Sequence, residues 1–429
     1  WLVTGLTEAD VADLAITCRV NGEVRQHDRT SELVFSPAHI IAYACAIMTL
    51  EPGDVVMMGT PAGVSPILPG DEVEVAIESI GSLRNPGGQV INIAAFARRM
   101  PKTHLHVHLE GSIRPGTLLR LAQRNQIELP AQDEAGLRAF YRFRDFEHFV
   151  EVYFTITGCL RTPDDYRLIG YEFGADCARQ NVLYAEVTFT MLTNVTLSGM
   201  DWRTIMDGLN QGRAQARAEF GVDWRWVFDI VRNFPDTQDQ AVEIAIAAYQ
   251  EQANTGVVAL GLGGSEAEFP PELFVDAFEK ARQAGMHSVP HAGETAGPES
   301  VWSALRLLHA ERIGHGVRRV EDPALVEHLR QHQIPLEVCP TSNIRLGVYA
   351  DYQAHPLRRL WNEGLWLTVN ADDPPLFNTD LNQEYQVLIE HFAFNAQELE
   401  HISLNGLRAS FLPQAEKAQL EEQFRAEFA

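Results

Sequence analysis

Val257-Val258-Ala259-Leu260-Gly261-Leu262-Gly263-Gly264 is the stretch whose reading decides the fold. Its apolar residues are not interleaved with polar ones, and it ends in glycines. A strand with one wet face alternates; a strand covered on both faces, as in a parallel sheet flanked by helices, does not. Working outward, comparable apolar runs occur at 103–109, 182–189, 224–231, 286–290, 312–314, 335–338 and 366–369. Each ends in a polar or glycine-rich stretch and leads into a longer amphipathic pattern. Eight strand–helix units in roughly 330 residues predict an α/β fold, a closed (β/α)8 barrel. An open doubly wound sheet has the same rhythm and is the alternative.

In a barrel the C-terminal strand ends converge on one face, where active sites lie. The polar residues at those ends are His106, His108 and Glu110 from the first strand, His291 and Glu294 from the fifth, His315 from the sixth, and Asp372 and Asp373 from the eighth. His106 and His108 are two apart, so both side chains leave the strand on the same side. His104 continues that alternation and is expected to be a bystander. With His291 and Asp372 the rim holds three imidazoles and one carboxylate, a donor set that suits zinc with water in an open position. Zinc lowers the pKa of bound water from 15.7 to about 7. His315, between Gly314 and Gly316, is placed to take a proton or steady developing charge, unless it only sits in a turn. Glu294, if burial keeps it neutral, can donate a proton to a ring nitrogen of a substrate; otherwise it supports a zinc histidine. Asp373 faces substrate or caps the helix that begins at Pro374-Pro375. Gly261, Gly263 and Gly264 either bring backbone N–H groups against a flat ring or make a plain tight turn.

The pattern changes near Asn85-Pro86-Gly87-Gly88. Before it, Val73, Val75 and Ile77 alternate with Glu72, Glu74 and Glu78, a strand with one wet face opened by the turn Pro69-Gly70-Asp71. A helix capped by Ser36, with Pro37 in its first turn, presents Ile40, Ile41, Ala44 and Ile47 and stops at Glu51-Pro52-Gly53. Residues 1–88 are therefore expected to form a small, mostly β, partial domain, 89–92 a linker, and 93–429 the barrel. The chain opens on Trp1 and is expected to be truncated or processed at its start. Asp and Glu number 58 against 34 Lys and Arg, a formal net charge of −24. That surface repels phosphate backbones and anionic lipid, so no nucleic-acid or membrane partner is expected. No apolar run is long enough to span a bilayer, and no secretory leader is read. Cys18, Cys45, Cys159, Cys177 and Cys339 form no C-x-x-C pair, which argues against disulfides and thiolate zinc sites. Together these features predict a cytoplasmic protein.

The barrel motifs, taken in order, resemble the adenosine deaminase family of the amidohydrolase superfamily. They are Pro101-Lys102-Thr103-His104-Leu105-His106-Val107-His108-Leu109-Glu110-Gly111, Gly264-Ser265-Glu266, His291-Ala292-Gly293-Glu294, Arg312-Ile313-Gly314-His315-Gly316, Glu337-Val338-Cys339-Pro340-Thr341-Ser342-Asn343 and Asn370-Ala371-Asp372-Asp373-Pro374. The resemblance implies one zinc ion per chain on His106, His108, His291 and Asp372. It implies that Glu294 protonates N1 of a small-molecule purine while hydroxide attacks C6, and that His315 orients and deprotonates the water. Asp372 would also serve the reaction itself, Asp373 would bond N7, the Gly264 N–H would meet N3, and His108 and Glu110 would lie against the substrate. The implied reaction is hydrolytic deamination, first of adenosine or 2′-deoxyadenosine to inosine or 2′-deoxyinosine and ammonia. Two departures bear on the sugar side: adenosine-specific members usually carry aspartate where Glu110 and Gly261 stand. Adenine deaminases share the His-Leu-Glu-Gly form but commonly have serines around Gly264, and deaminases of larger nucleosides such as aminodeoxyfutalosine look similar.

Upstream, Arg19-Val20-Asn21-Gly22-Glu23, Thr30-Ser31-Glu32-Leu33-Val34-Phe35-Ser36, the run from Pro52 to Val64 and Ile80-Gly81-Ser82-Leu83-Arg84-Asn85-Pro86 resemble the C-terminal part of the fumarylacetoacetate hydrolases. That family's metal-binding carboxylates lie upstream of the matching stretch, so this segment is expected to be non-catalytic. A carbon–carbon bond hydrolase is disfavoured for the same reason. A non-catalytic assembly protein is the remaining alternative of another class, and every expected catalytic side chain argues against it. Cytidine-deaminase chemistry lacks its cysteine pair. A binuclear site lacks a lysine after the fourth barrel strand.

Overall fold

Residues 5–50, 55–68, 70–86, 92–143, 146–318 and 322–428 are described by the computed structural model. Trp1, the stop at Glu51-Pro52-Gly53, Pro69 of the expected turn and the pair Gly87-Gly88 lie outside them. The chain divides into two units, Trp1–Asn92 and Ile93–Ala429.

The first unit is an antiparallel sheet of β1 (Ala15–Val20), β2 (Glu23–Arg29), β3 (Glu72–Ile77) and β4 (Gly81–Pro86), in the order β2-β1-β3-β4. Apolar pairs set its register: Val73, Val75 and Ile77 stand opposite Val20, Cys18 and Ile16. The helix Pro37–Cys45 forms where expected, with Ser36 Oγ accepting from the His39 N–H at 3.2 Å. Its expected apolar face is not buried. None of its residues is enclosed, and Ile47 falls beyond its end, 65% exposed. The physical reason is a shortage of partners: Leu14 and Val20 are this unit's only buried apolar residues among those described.

The second unit is the barrel. Its parallel strands are β5 (Lys102–His108), β6 (Val182–Phe189), β7 (Asp223–Val231), β8 (Val257–Gly263), β9 (His287–Ala292), β10 (Ile313–His315), β11 (Leu336–Val338) and β12 (Leu367–Val369), hydrogen-bonded in that order. All seven residues of β8 are buried, as its unalternating sequence requires. Helices alternate with the strands; Thr162, for example, opens Pro163–Arg179 through a capping box with Asp165.

Closure distinguishes this sheet from the open alternative, and it occurs just past the end of β12. The Asp372 N–H donates to His106 O at 3.1 Å, and the His108 N–H donates to Asp372 O at 3.0 Å. β5 arrives at this seam with its register broken: against β6, the pairing shifts between His104 and Val107. Asn370 fills the irregularity. Its Oδ1 accepts from the N–H groups of Leu105 at 2.8 Å and His106 at 3.1 Å, and its Nδ2 donates to Thr368 Oγ1 at 2.9 Å. Outside the seam the helix Ala396–Ala409 clasps both edges. Ser403 Oγ donates to Pro101 O at 2.6 Å and Asn405 Nδ2 to Leu367 O at 3.1 Å. Inside, Arg312 bridges Glu186 of β6 at 2.6 Å and Glu337 of β11 at 2.7 Å, all three enclosed.

Each buried N–H left without an acceptor costs about 1–3 kcal/mol. Asn370→Leu strands two of them at the seam and should lower stability by about 2–5 kcal/mol, read as a fall in Tm by circular dichroism with the far-ultraviolet spectrum of the folded state retained.

Candidate active site

Four side chains meet above the seam. His106, His108, His291 and Asp372 each offer one ligand atom, and these atoms all lie within 4.8 Å of one another. Asp372 Oδ1 is 3.6 Å from His106 Nε2 and 3.5 Å from His108 Nε2, and His108 Nε2 is 3.4 Å from His291 Nε2. Tetrahedral zinc with bonds near 2.0–2.1 Å sets its ligand atoms about 3.3 Å apart, so these separations fit the ion with little movement. His106 Nε2 is buried without a hydrogen-bond partner, and its other nitrogen, Nδ1, is held by Glu337 Oε2 at 2.9 Å. A carboxylate behind a metal histidine fixes its tautomer and orientation. His104 takes no part: with the register broken after it, its Nε2 instead accepts from the Ala371 N–H at 3.0 Å.

Around this cluster the structure gathers the other candidates. Glu294 Oε1 is 3.6 Å from His315 Nε2, and that nitrogen is 3.8 Å from Asp372 Oδ2. His108, His291, Glu294, His315, Asp372, Asp373 and Gly264 line one cavity. Glu110 does not. It is fully enclosed behind the wall, where Oε2 accepts from the Tyr153 hydroxyl at 3.0 Å and Oε1 from the Thr190 N–H at 3.0 Å and Asn194 Nδ2 at 2.7 Å. Tyr153, not Glu110, lines the cavity.

The acids of this cavity are driven to opposite states. Burial works against charge on all of them. For Asp372 the neighbouring imidazoles of His106, His315 and His108 outweigh burial and hold the carboxyl well below its usual range. Burial, then the charges of Asp372 and Glu266, lift Glu294 well above it, and burial with Asp372 does the same to Asp373. Both shifts favour the protonated form of Glu294 and Asp373. Oε1 of Glu294 and Oδ1 of Asp373 are buried without partners. Burial lowers His315 to about 3, reinforced by His106, so its ring is neutral. Without an ion, burial disfavours charge on His106, but Asp372 and Glu337 more than offset it and raise the ring to about 10.

Two site residues carry backbone strain. His315 (φ 59°) and Asp372 (φ 63°) occupy the left-handed region that favours glycine, at a cost of about 1–3 kcal/mol each. Gly264 (φ 103°) cannot carry a side chain, because a Cβ would collide with Asn233 Oδ1. Asn233 Oδ1 accepts from the Ser265 N–H at 3.0 Å, which fixes this loop.

Several supports carried no recognisable signal of their own. Glu266 accepts from the N–H groups of Gly293, Glu294, Thr295 and Ala296 at 2.5–3.0 Å and so holds the loop that presents Glu294. Ser342 Oγ donates to Asp372 Oδ2 at 2.6 Å, and the Asn343 amide holds His315 Nδ1 at 3.2 Å. Arg232 Nη2 donates to His291 O at 2.6 Å. Glu266, Glu337, Ser342 and Asn343 stand inside the motif stretches, where sequence alone does not mark their roles; Arg232, Tyr153 and Asp229 stand outside them. A second, wider cavity is lined by Arg114, Arg120 and Glu172, which pair with one another, and it holds none of the candidate catalytic residues.

Residues 1–86 match the model of the fumarylacetoacetate hydrolase C-terminal family. Residues 101–427 match that of adenosine deaminase. The aminodeoxyfutalosine deaminase of Streptomyces avermitilis is 41% identical over 329 residues, 77% of this chain and 91% of that protein. The adenine deaminase of Cupriavidus necator is 36% identical over 327 residues, 76% of this chain and 92% of that protein. A solved amidohydrolase from Burkhoderia ambifaria, with bound zinc, is 30% identical, with a TM-score of 0.71 over 80% of this chain and 94% of that one. From its barrel motifs to its last helix, the chain belongs to the adenosine deaminase family.

Proposed function

We propose that the barrel hydrolytically deaminates a 6-aminopurine, releasing ammonia and leaving oxygen at C6. One observation carries this reading: Glu294, whose burial favours its protonated form, and a neutral His315 face the same cavity as a three-histidine, one-aspartate donor set. His106, His108, His291 and Asp372 would hold one zinc ion, which when bound supplies hydroxide near neutral pH. Glu294 hands its proton to N1, which draws electron density from C6 and makes it electrophilic. His315, steadied by Asn343, takes the proton of the attacking water. Asp373, being neutral, donates to N7. The Gly264 loop closes over the ring and excludes water from its face. His315 then passes the water's proton to the amine, the C6–N bond breaks to release ammonia, and the proton shed by the C6 hydroxyl restores Glu294.

As to substrate, the 41% identity to a protein named for aminodeoxyfutalosine favours a purine with a large substituent at N9. The apolar wall of Phe149, Val150 and Phe154 suits such a group. Adenine is the second reading, on the 36% identity to an adenine deaminase. Neither relative carries the name of adenosine, the first expectation, which stands third. Residues 1–88 are proposed to be non-catalytic and the enzyme to be cytoplasmic, acting on a small molecule without nucleic acid.

The zinc-loaded protein should shift the ultraviolet spectrum of at least one of aminodeoxyfutalosine, adenine, adenosine and 2′-deoxyadenosine; no change with any of them refutes the reaction. Glu294→Gln should cut kcat by about 10²–10⁴-fold with zinc still bound, since it removes only the acid; full activity would take the proton donor out of the scheme. Glu337→Gln should weaken zinc binding about 10–100-fold, measured by chelator competition, because His106 loses its anchor. A chain starting at Ile93 should deaminate as the full chain does, whereas a folded but inactive product would give the N-terminal unit a part in the site.

A further inference from the structure

Asp229, near the end of β7, has no part in the reaction just described, yet it lines the same cavity. It is 7% exposed, and its Oδ1 is buried with no hydrogen-bond partner. An unpaired buried acceptor is costly in a folded protein unless a ligand satisfies it. Burial raises the carboxyl to about 6, against the pull of the Thr190 hydroxyl, so much of it is ionised at neutral pH.

Its neighbour across the strand pair explains how it fits. Asp229 stands opposite Gly261 of β8 in the parallel register. A Cβ on Gly261 would lie 3.2 Å from Asp229 Cβ, tighter than ordinary packing, and one on Gly263 would lie 3.2 Å from Asp229 Oδ2. The two glycines thus vacate the space that the Asp229 side chain fills. A carboxylate projecting from position 261 would enter nearly the same volume. The acid comes from β7, and the glycines of β8 make room for it.

Position in the barrel indicates what the acid meets. The donor cluster comes from β5, β9 and the turn after β12, while β7 lies two strands from β5 and two from β9. A purine whose C6 and N1 face Glu294 and His315 must turn its N3 and N9 edge away from them, because N3 is diagonally opposite C6 in the six-membered ring. We propose that Asp229 is the specificity-determining residue of this site, its carboxylate accepting a hydrogen bond from a donor on the N9 side of the purine, either the N9–H of a free base or a ribose hydroxyl. The inference rests on the 6-aminopurine reading above.

Two matched pairs separate the two sources: adenine against 9-methyladenine, and adenosine against 9-(tetrahydrofuran-2-yl)adenine, which keeps the sugar ring without its hydroxyls. The wild-type enzyme should favour the donor-bearing member of at least one pair by 10-fold or more, mainly through KM. Asp229→Ala should reduce that preference to about 2-fold while treating the donor-free member as the wild type does. The double variant Asp229→Gly with Gly261→Asp should restore it, since the acid returns to the same volume. An equal loss on all four compounds, or no loss on any, overturns the proposal. Calorimetric binding of the same compounds to the Glu294→Gln protein, with and without Asp229→Ala, reads the coupling without turnover. Preference in binding without deamination would refute the reaction and keep Asp229; deamination without preference would do the reverse.

Discussion

Everything functional in this barrel depends on how its first strand is joined to its last. β12 is three residues long, and the chain that continues it must close the sheet against a β5 whose register has slipped. Asn370 substitutes its side chain for the missing ladder, and Asp372 resumes backbone pairing two residues later. The same residue that latches the backbone of His106 and His108 places its carboxylate 3.5–3.6 Å from their rings. Closure and the donor set are thus one construction. The left-handed φ of Asp372, 63°, belongs to the turn that the chain makes at this pairing.

Electrostatics then divides four buried acids by neighbour, not by depth. Asp372 faces imidazoles and stays ionised; Glu294 and Asp373 face Asp372 and stay protonated. Glu337 is equally buried, yet Arg312 and His106 keep it charged. Breaking a buried pair by deleting one partner costs about 3–5 kcal/mol, because the remaining charge is stranded. Arg312 serves two acids at once, which links His106 through Glu337 and Arg312 to Glu186 of β6 in one buried chain of charges.

The sequence made the eight strands legible because their burial suppresses polar alternation, and β6 begins and ends where its pattern does. The residues His106, His108, His291 and Asp372 could be grouped because strand ends in a barrel converge whatever their separation along the chain. What stayed hidden depended on register. His104 is the bystander expected, but nothing in Thr103-His104-Leu105-His106 announces the bulge that turns it to the Ala371 N–H. Glu110 looked available for substrate because its enclosure comes from Tyr153, Thr190 and Asn194, all distant in sequence. Asp229 was invisible because its meaning lies in a vacancy on the adjacent strand.

The N-terminal unit shows the converse case, in which local signals are right and packing is missing. Its helix cap and cross-strand pairs form as the sequence indicates. Yet Val34, Val55 and Met57 are 89%, 84% and 88% exposed, and only Leu14 and Val20 are enclosed among its described residues. At about 25 cal/mol per Å² of apolar surface removed from water, two buried aliphatic side chains supply only a few kcal/mol. The barrel encloses apolar residues on all eight of its strands. A catalytic constellation needs side chains held to fractions of an ångström, and in this chain only the barrel has the burial to hold them.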